Sequence, residues 1–141
     1  MKSVVKSNIL LVLSALLLCS CSHEKLTELK DFTIHQDPEF GHICVDISIE
    51  NFMKKGFKFG DSCDINFSNG FTLKDIPFYD GYYVKTGDFL VVGYPGYEYL
   101  EICKNNTSGY YESLNFDEKT TVTITINQKE KYKVYQDALS L

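Results

Sequence analysis

The residues able to carry nucleophilic or metal chemistry are few, because the chain has five cysteines and only three histidines. His23, His35 and His42 do not follow the H-x3-H or H-E-x-x-H spacing that brings two imidazoles to one metal ion. No glycine-rich phosphate loop and no serine nucleophile elbow is present. We therefore predict no catalytic residue, no metal site and no cofactor.

A group of aspartates is the other candidate for ion binding. Calcium loops need several oxygen ligands at D-x-D-x-D-G spacing. Asp61 and Asp64 are three positions apart, and Asp80-Gly81 is a common turn pair. We therefore interpret these carboxylates as solvated turn residues.

The cysteine with the clearest predicted chemistry is Cys21. The apolar run 9–18 follows two lysines and is typical of a secretory signal. The next residues, Leu18-Cys19-Ser20-Cys21, resemble a bacterial lipobox, in which a cysteine after a small residue is acylated and becomes the first residue of the mature protein. Cys21 fits better than Cys19, because Ser20 is small. Ordinary secretion with cleavage near Ser20 or Ser22 is the alternative.

Acylation of Cys21 predicts stable membrane attachment, since lipoproteins carry several acyl chains and anchoring needs more than one. Ser22, rather than aspartate, follows the cysteine, so nothing indicates retention in the inner membrane. We predict a protein anchored in the outer membrane of a Gram-negative bacterium, on its periplasmic or surface face. The predicted organisation is a signal peptide (1–20), a polar tether (21–30) and a single β-barrel domain (31–141).

The charge of the chain excludes one class of partner. After cleavage, 12 lysines would face 19 acidic residues, and the chain contains no arginine. Nucleic-acid binding requires a positive field and is favoured by the bidentate guanidinium. We therefore predict no nucleic-acid partner.

The remaining thiols are Cys44, Cys63 and Cys103. Three cysteines outside the cytoplasm cannot all pair within the chain, and their spacing leaves open whether two of them form a disulfide. We interpret them as partly buried thiols that pack as small hydrophobic residues.

The elements that position these residues are predicted to be strands. Alternation in "HICVDISIEN" places Ile43 to Ile49 at every second position on one face, and "SCDINFSNGFTL" is a hairpin around Asn69-Gly70. "DFLVVGY" and "YEYLEICK" are further strands, and "TTVTITINQKEKYKVYQ" predicts two strands around a turn at 127–130. About seven short strands indicate an all-β fold, a small antiparallel barrel or sandwich.

Tyrosine is the unusual residue type, because eight of the ten lie between positions 79 and 111. A tyrosine combines a flat apolar body with a polar tip, which suits a binding surface. Packing within a small barrel that lacks tryptophan is the alternative. We select as a candidate surface for a ligand or partner the residues Tyr82, Tyr83, Tyr97, Tyr99 and Asn105.

Two motifs carry a resemblance to a known family. Phe59-Gly60-Asp61 precedes an alternating strand, and Gly87-Asp88-Phe89-Leu90-Val91-Val92 is followed by Tyr99-Leu100-Glu101-Ile102-Cys103-Lys104-Asn105. Together they resemble the C-terminal β-barrel domain of the S-adenosylmethionine hydroxide adenosyltransferases, the superfamily of the fluorinating and chlorinating enzymes. The resemblance covers about half of the chain.

The resemblance implies a barrel more firmly than an activity. The larger α/β domain that carries most of the family's chemistry has no room in this chain. The residue that contacts adenine in the family is an asparagine, and Asp61 stands there instead; a carboxylate accepts hydrogen bonds but cannot donate them. Phe59, Gly60 and Asp61 are therefore interpreted as a vestigial adenine-side motif.

We predict a non-enzymatic lipoprotein whose barrel binds or supports a partner at the membrane, such as a glycan or an envelope protein. The alternative is an accessory domain that binds S-adenosylmethionine or another nucleoside and acts with a separate catalytic partner.

Overall fold

The computed structural model describes residues 27–139 and 141. Cys21 and the predicted signal and most of the predicted tether lie outside these residues. Within residues 27–139, no helix has the length and apolar character needed to cross a membrane.

Seven strands form a closed barrel in the order β1-β2-β6-β5-β4-β3-β7. Their bounds are β1 Glu28–Gln36, β2 Ile43–Val45, β3 Ser62–Phe67, β4 Thr72–Tyr79, β5 Phe89–Val92, β6 Leu100–Lys104 and β7 Thr121–Gln128. The prediction of a small all-β barrel is confirmed. All neighbouring pairs are antiparallel except β4 and β5, which run parallel. β1 begins inside the stretch that was predicted to be a tether.

Alternation along the strands explains the core. In β7, Val122, Ile124 and Ile126 are buried, and the intervening threonines are half-buried. The same pattern holds in β3, where the alternation correctly predicts that the inward side chains are buried: Cys63, Ile65 and Phe67. The β3–β4 hairpin turns where it was predicted, with Gly70 at a φ of +94°. Burial of this inward face is the main favourable contribution to folding.

The strand predicted through Ile49 ends earlier than the alternation suggests. β2 stops at Val45, and helix α1 occupies Ile49–Lys54. Ser48 caps this helix: its hydroxyl accepts the backbone N–H of Asn51 at 3.2 Å. The helix buries Phe52 completely, and its ring stacks on Phe57 with centroids 3.9 Å apart.

The prediction of a second strand after the 127–130 turn is wrong. Helix α2 occupies Lys133–Leu139. β7 already pairs with β1 on one side and β3 on the other, so the closed barrel offers no edge to an eighth strand. The segment folds back as a helix against the outside of the barrel.

The strand predicted for "YEYLEICK" begins only at Leu100. The Pro95-Gly96 turn precedes it, with Gly96 at a φ of +93°. Tyr97 and Tyr99 therefore lie in the approach to β6 and not in the strand.

Candidate functional site

The pairing of β2 with β6 brings together polar groups that are far apart in sequence. Ile43 lies opposite Ile102 and Cys44 opposite Glu101. The inward residues of both strands are apolar, so Cys44, Glu101 and Cys103 belong to the outer face of the barrel. His42, just before β2, continues this face next to Cys103.

Three of these groups form a closed triangle. The Nδ1 atom of His42 lies 3.1 Å from Oε2 of Glu101 and 3.2 Å from Sγ of Cys103. The thiol of Cys103 donates to the same Oε2 at 3.4 Å. Each residue is at least nine-tenths buried, with exposures of 9% for His42, 6% for Glu101 and 0% for Cys103.

Aromatic rings cover this triangle. The imidazole of His42 stacks on Phe40 at 5.7 Å and on Tyr110 at 6.4 Å between centroids, and the Tyr82 ring lies at 6.3 Å. The hydroxyl of Tyr110 donates to the Ile102 carbonyl at 2.8 Å. Polar groups on an outer barrel face are thereby shielded from solvent.

A cavity of about 410 Å³ opens beside His42. We call it the aromatic cleft; its lining includes Phe40, His42, Tyr82, Tyr97, Asn105 and the segment 106–108. Three of the five residues selected from the sequence, Tyr82, Tyr97 and Asn105, therefore meet at one cavity. The Tyr94 ring links two of them, with centroids 6.0 Å from Tyr82 and 5.1 Å from Tyr97.

The other two selected tyrosines lie elsewhere. Tyr99 lines a neighbouring cavity of about 340 Å³, where its ring meets His35 edge to face at 4.9 Å. Tyr83 lines a third cavity, of about 540 Å³, and packs against Tyr79. The five residues thus do not form one surface.

Asn105 has a structural as well as a lining role. Its Nδ2 donates to the Val84 carbonyl at 2.6 Å, which ties the end of β6 to the loop after β4. Among residues 27–139 and 141, no donor is hydrogen-bonded to its Oδ1. This amide therefore fixes the wall that carries Tyr82.

The motif Phe59-Gly60-Asp61 has a structural role in this chain. Asp61 is 1% exposed, and its two carboxylate oxygens accept the backbone N–H groups of Lys58 and Glu130, both at 2.8 Å. Gly60 donates to the Phe78 carbonyl and accepts from Tyr132. None of the three motif residues lines the aromatic cleft or the cavities at Tyr83 and Tyr99.

The electrostatics of the triangle keep its thiol protonated. Burial raises the pKa of Cys103 far above its ordinary value, and the nearby Glu101 carboxylate raises it further. Burial, followed by Glu101, raises the pKa of Cys44 to about 12. Thiolate is the nucleophilic form, so neither cysteine is activated for attack in this arrangement.

The geometry also differs from a nucleophile relay. In a relay of thiol, histidine and carboxylate, the two partners approach different ring nitrogens. Here both Cys103 and Glu101 approach Nδ1 of His42. Nε2 has no hydrogen-bond partner among residues 27–139 and 141.

Sequence reasoning missed this triangle because its members come from two strands. His42 stands two residues from Cys44, and Glu101 two residues from Cys103. That spacing places each pair on one face of a strand, and it is the signal that was available. The pairing of the two strands, which local spacing does not contain, brings them together.

All three described cysteines are free thiols: Cys44, Cys63 and Cys103. Cys63 packs inside the core among apolar residues, as a small hydrophobic residue does. On the outer face, Cys103 packs with Leu90 and Val92 as well as with polar groups, so the interpretation as a small hydrophobic residue fits Cys63 fully and Cys103 in part.

No protein-family model and no curated protein matches this chain. Solved structures do match, among them the crystal structure of an uncharacterized conserved protein from Thermotoga maritima, with a TM-score of 0.54 and 20% sequence identity. The match covers 71% of this chain and 38% of that chain, so this chain spans well under half the length of its structural neighbour. At this identity the likeness shows the barrel fold alone.

Proposed function

We propose that this protein is a non-catalytic binding module, held to a bacterial outer membrane by acyl chains on Cys21, and that the aromatic cleft binds a glycan of the cell envelope. The observation that carries the proposal is the convergence of Tyr82, Tyr97 and Asn105 on one cavity of about 410 Å³. That volume falls in the range of small-molecule sites, about 300–1,000 Å³.

The lining of the cleft supports a sugar as the ligand. Phe40 and Tyr97 offer aromatic surfaces for the apolar face of a sugar ring. Asn105 offers its amide oxygen as an acceptor, since its Nδ2 already donates to Val84, and Thr107 and Ser108 offer hydroxyl oxygens. A ligand with an apolar face and a hydroxyl rim satisfies both kinds of surface.

The absence of catalysis is part of the proposal. The Cys103 thiol beside the cleft has a raised pKa, and it shares one imidazole nitrogen with Glu101. These features disfavour thiolate attack. The proposal therefore assigns the cleft to recognition.

The binding test is calorimetry with the full chain in detergent. The probes are N-acetylglucosamine and its disaccharide, and the variant is Tyr97→Ala. Loss of one stacked ring is expected to weaken binding about tenfold. Tyr135→Ala is the matched control, because Tyr135 is an exposed tyrosine of α2 outside the cleft. Binding that survives Tyr97→Ala, or no heat with either sugar, contradicts the glycan assignment.

The nucleoside alternative rests on the resemblance to the adenosyltransferase barrel. Adenosine and S-adenosylmethionine are titrated in the same way. If adenosine gives a heat of binding that disappears in the Tyr97→Ala variant, the ligand of the cleft would be a nucleoside and not a glycan. A flat trace at millimolar ligand would remove the adenosyl alternative.

The anchor is tested separately. Cys21→Ala is expected to move the protein from the membrane pellet to the soluble fraction, whereas Cys19→Ala leaves it in the pellet. A Cys21→Ala protein that still sediments with membranes would refute the lipid anchor.

A further inference from the structure

We propose that His42, Glu101 and Cys103 form a binding site for a borderline transition-metal ion, with Zn²⁺ as the representative, at the edge of the aromatic cleft. The proposal goes beyond glycan recognition and does not depend on it. It starts from the triangle of Nδ1, Oε2 and Sγ, whose three sides are 3.1, 3.2 and 3.4 Å.

These separations are close to those of a zinc coordination shell. Zinc bonds of about 2.0 Å to nitrogen or oxygen and about 2.3 Å to sulfur, at tetrahedral angles, place neighbouring ligand atoms about 3.3–3.6 Å apart. The three atoms of the triangle need to move by only a few tenths of an ångström to bind one ion. No rearrangement of β2 or β6 is required.

As hydrogen bonds, the three contacts of the triangle share two protons. One proton on Nδ1 and one on Sγ serve the two contacts with the Glu101 carboxylate. The third contact, between Nδ1 of His42 and Sγ of Cys103 at 3.2 Å, then has no proton of its own. A metal ion at the centre uses a lone pair of all three atoms at once.

The donor set selects the class of metal. Imidazole, carboxylate and thiolate together are ligands of zinc and similar ions, whereas calcium and magnesium prefer oxygen alone. On binding, the Cys103 thiol proton passes to solvent and the thiolate coordinates the ion. Burial of the three groups favours a paired arrangement over isolated charges.

The location leaves a further coordination position. Three protein ligands plus an open position is the arrangement of zinc sites that bind a water or an external ligand. His42 lines the cleft, and Glu101 lines the neighbouring cavity with Cys44 and Asp37. Each cavity therefore borders one of the three ligands, and a molecule that entered from one of them could supply the fourth.

The test is metal titration of the full chain, purified metal-free and reduced. Cys19 and Cys21 are replaced with Ser in every protein compared, so that their thiols contribute no signal. Co²⁺ is the spectroscopic probe, since a thiolate ligand gives a charge-transfer absorption band, and Zn²⁺ is the competitor. The variants are His42→Gln, Glu101→Gln and Cys103→Ser. Far-UV circular dichroism checks that each protein is folded.

The expected result is one bound Co²⁺ per chain, with the thiolate band, its displacement by Zn²⁺, and a higher melting temperature with Zn²⁺. Cys103→Ser abolishes the band, and each of the other two substitutions weakens binding by more than the roughly 10–100-fold lost with an outer-shell partner. His35→Gln is the matched control. His35 also contacts a carboxylate, that of Asp46 at 2.7 Å, but this contact lies at the exposed surface and includes no thiol. His35→Gln should therefore leave the affinity for the metal unchanged.

Three outcomes overturn the proposal. The first is a reference protein, with all three ligands intact, that shows no thiolate band and no Zn²⁺-dependent melting shift. The second is a band that persists in Cys103→Ser. The third is an equal loss of affinity in His35→Gln and His42→Gln. If Cys103→Ser fails to fold, Cys103→Ala replaces it, and unchanged affinity in His42→Gln would still show that the band comes from another thiol, such as Cys44.

Discussion

The carboxylate of Asp61 accepts the backbone N–H of Glu130 at 2.8 Å, across 69 positions of sequence. Its other oxygen accepts the N–H of Lys58 at the same distance. One buried side chain thus joins the entry to β3 with the segment that leads from β7 into α2. The residue that stands at the adenine-contacting position of the resembled family serves here as an internal connection.

Asp61→Ala should destabilise the fold by about 2 kcal/mol, because it leaves two backbone donors without their acceptors. Asp61→Asn keeps the shape but turns one acceptor into a donor, so it should recover only part of the loss. Urea unfolding followed by circular dichroism measures both. Asp88→Ala removes an exposed carboxylate and should change stability by less than about 0.5 kcal/mol. Equal effects of Asp61→Ala and Asp88→Ala would refute the role of Asp61.

Gly60 and Gly70 provide a matched pair for the contact between the barrel and α2. Both have left-handed backbones, with φ of +92° and +94°. A Cβ at Gly60 would lie 2.8 Å from the backbone of Lys133, whereas a Cβ at Gly70 meets nothing within 4 Å. Both alanine variants carry the conformational cost, and Gly60→Ala should lose about 1–3 kcal/mol more. Thermal unfolding of the two variants measures the difference, and equal losses would mean that α2 does not press on Gly60.

Phe52 of α1 should contribute strongly to the stability of the core. It is fully buried, stacks on Phe57, and meets Phe78 edge to face at 5.1 Å. Phe52→Ala should cost about 3–5 kcal/mol through lost burial and a residual cavity. Met53→Ala, at the next and 36% exposed position of the same helix, should cost less than about 1 kcal/mol. Chemical unfolding distinguishes them; similar values would place α1 outside the core.

Asp75 should contribute an acid-sensitive part of the stability. Hydrogen bonds from Lys131, and then from Ser62, hold the pKa of its carboxyl below the ordinary value. Because the folded pKa is lower than the unfolded one, the contribution is fully present above the unfolded pKa and is lost as pH falls through the folded pKa. The melting temperature should therefore decline on acidification below about pH 4.

Asp75→Asn tests this assignment without disturbing the backbone. Asp75 has a φ of +58°, and asparagine tolerates that left-handed conformation. The variant should have a lower melting temperature than the unmodified protein at pH 7. Its melting temperature should also fall less between pH 5 and pH 3. Parallel melting curves against pH would show that another carboxylate carries the acid sensitivity.

Alternation and turn residues were enough to predict much of the barrel. Val122, Ile124 and Ile126 alternate with threonines, and Asn69-Gly70 fixes a hairpin, so β7 and the β3–β4 pair follow from local sequence. Local sequence also alternates in 131–135, yet a helix begins within that segment at Lys133. Closure of the barrel prevents a strand at that position, because β1 and β3 already occupy both edges of β7. Closure is a property of the whole chain and has no local pattern.

The candidate site also combines features that local sequence predicts with features that depend on strand pairing. Tyrosine clustering predicted that Tyr82 and Tyr97 contribute to a binding surface, and the structure brings them to one cavity. His42 and Cys103 are 61 residues apart, and only the pairing of β2 with β6 makes them neighbours. Residue spacing along the chain therefore could not predict that these two side chains meet.

The path of β1 places the start of the described chain and the aromatic cleft at opposite ends of the barrel wall. From Cys21 to Glu28 the chain can extend no more than about 24 Å. The nine residues of β1 then carry it about 30 Å along the barrel wall, from the end near α1 to the end where Gln36 pairs with Ile43. Phe40, His42 and Asn105 lie at that far end. A lipid on Cys21 would thus attach at the end of the barrel opposite the cleft, so the length of the barrel would add to the reach of the cleft from a membrane.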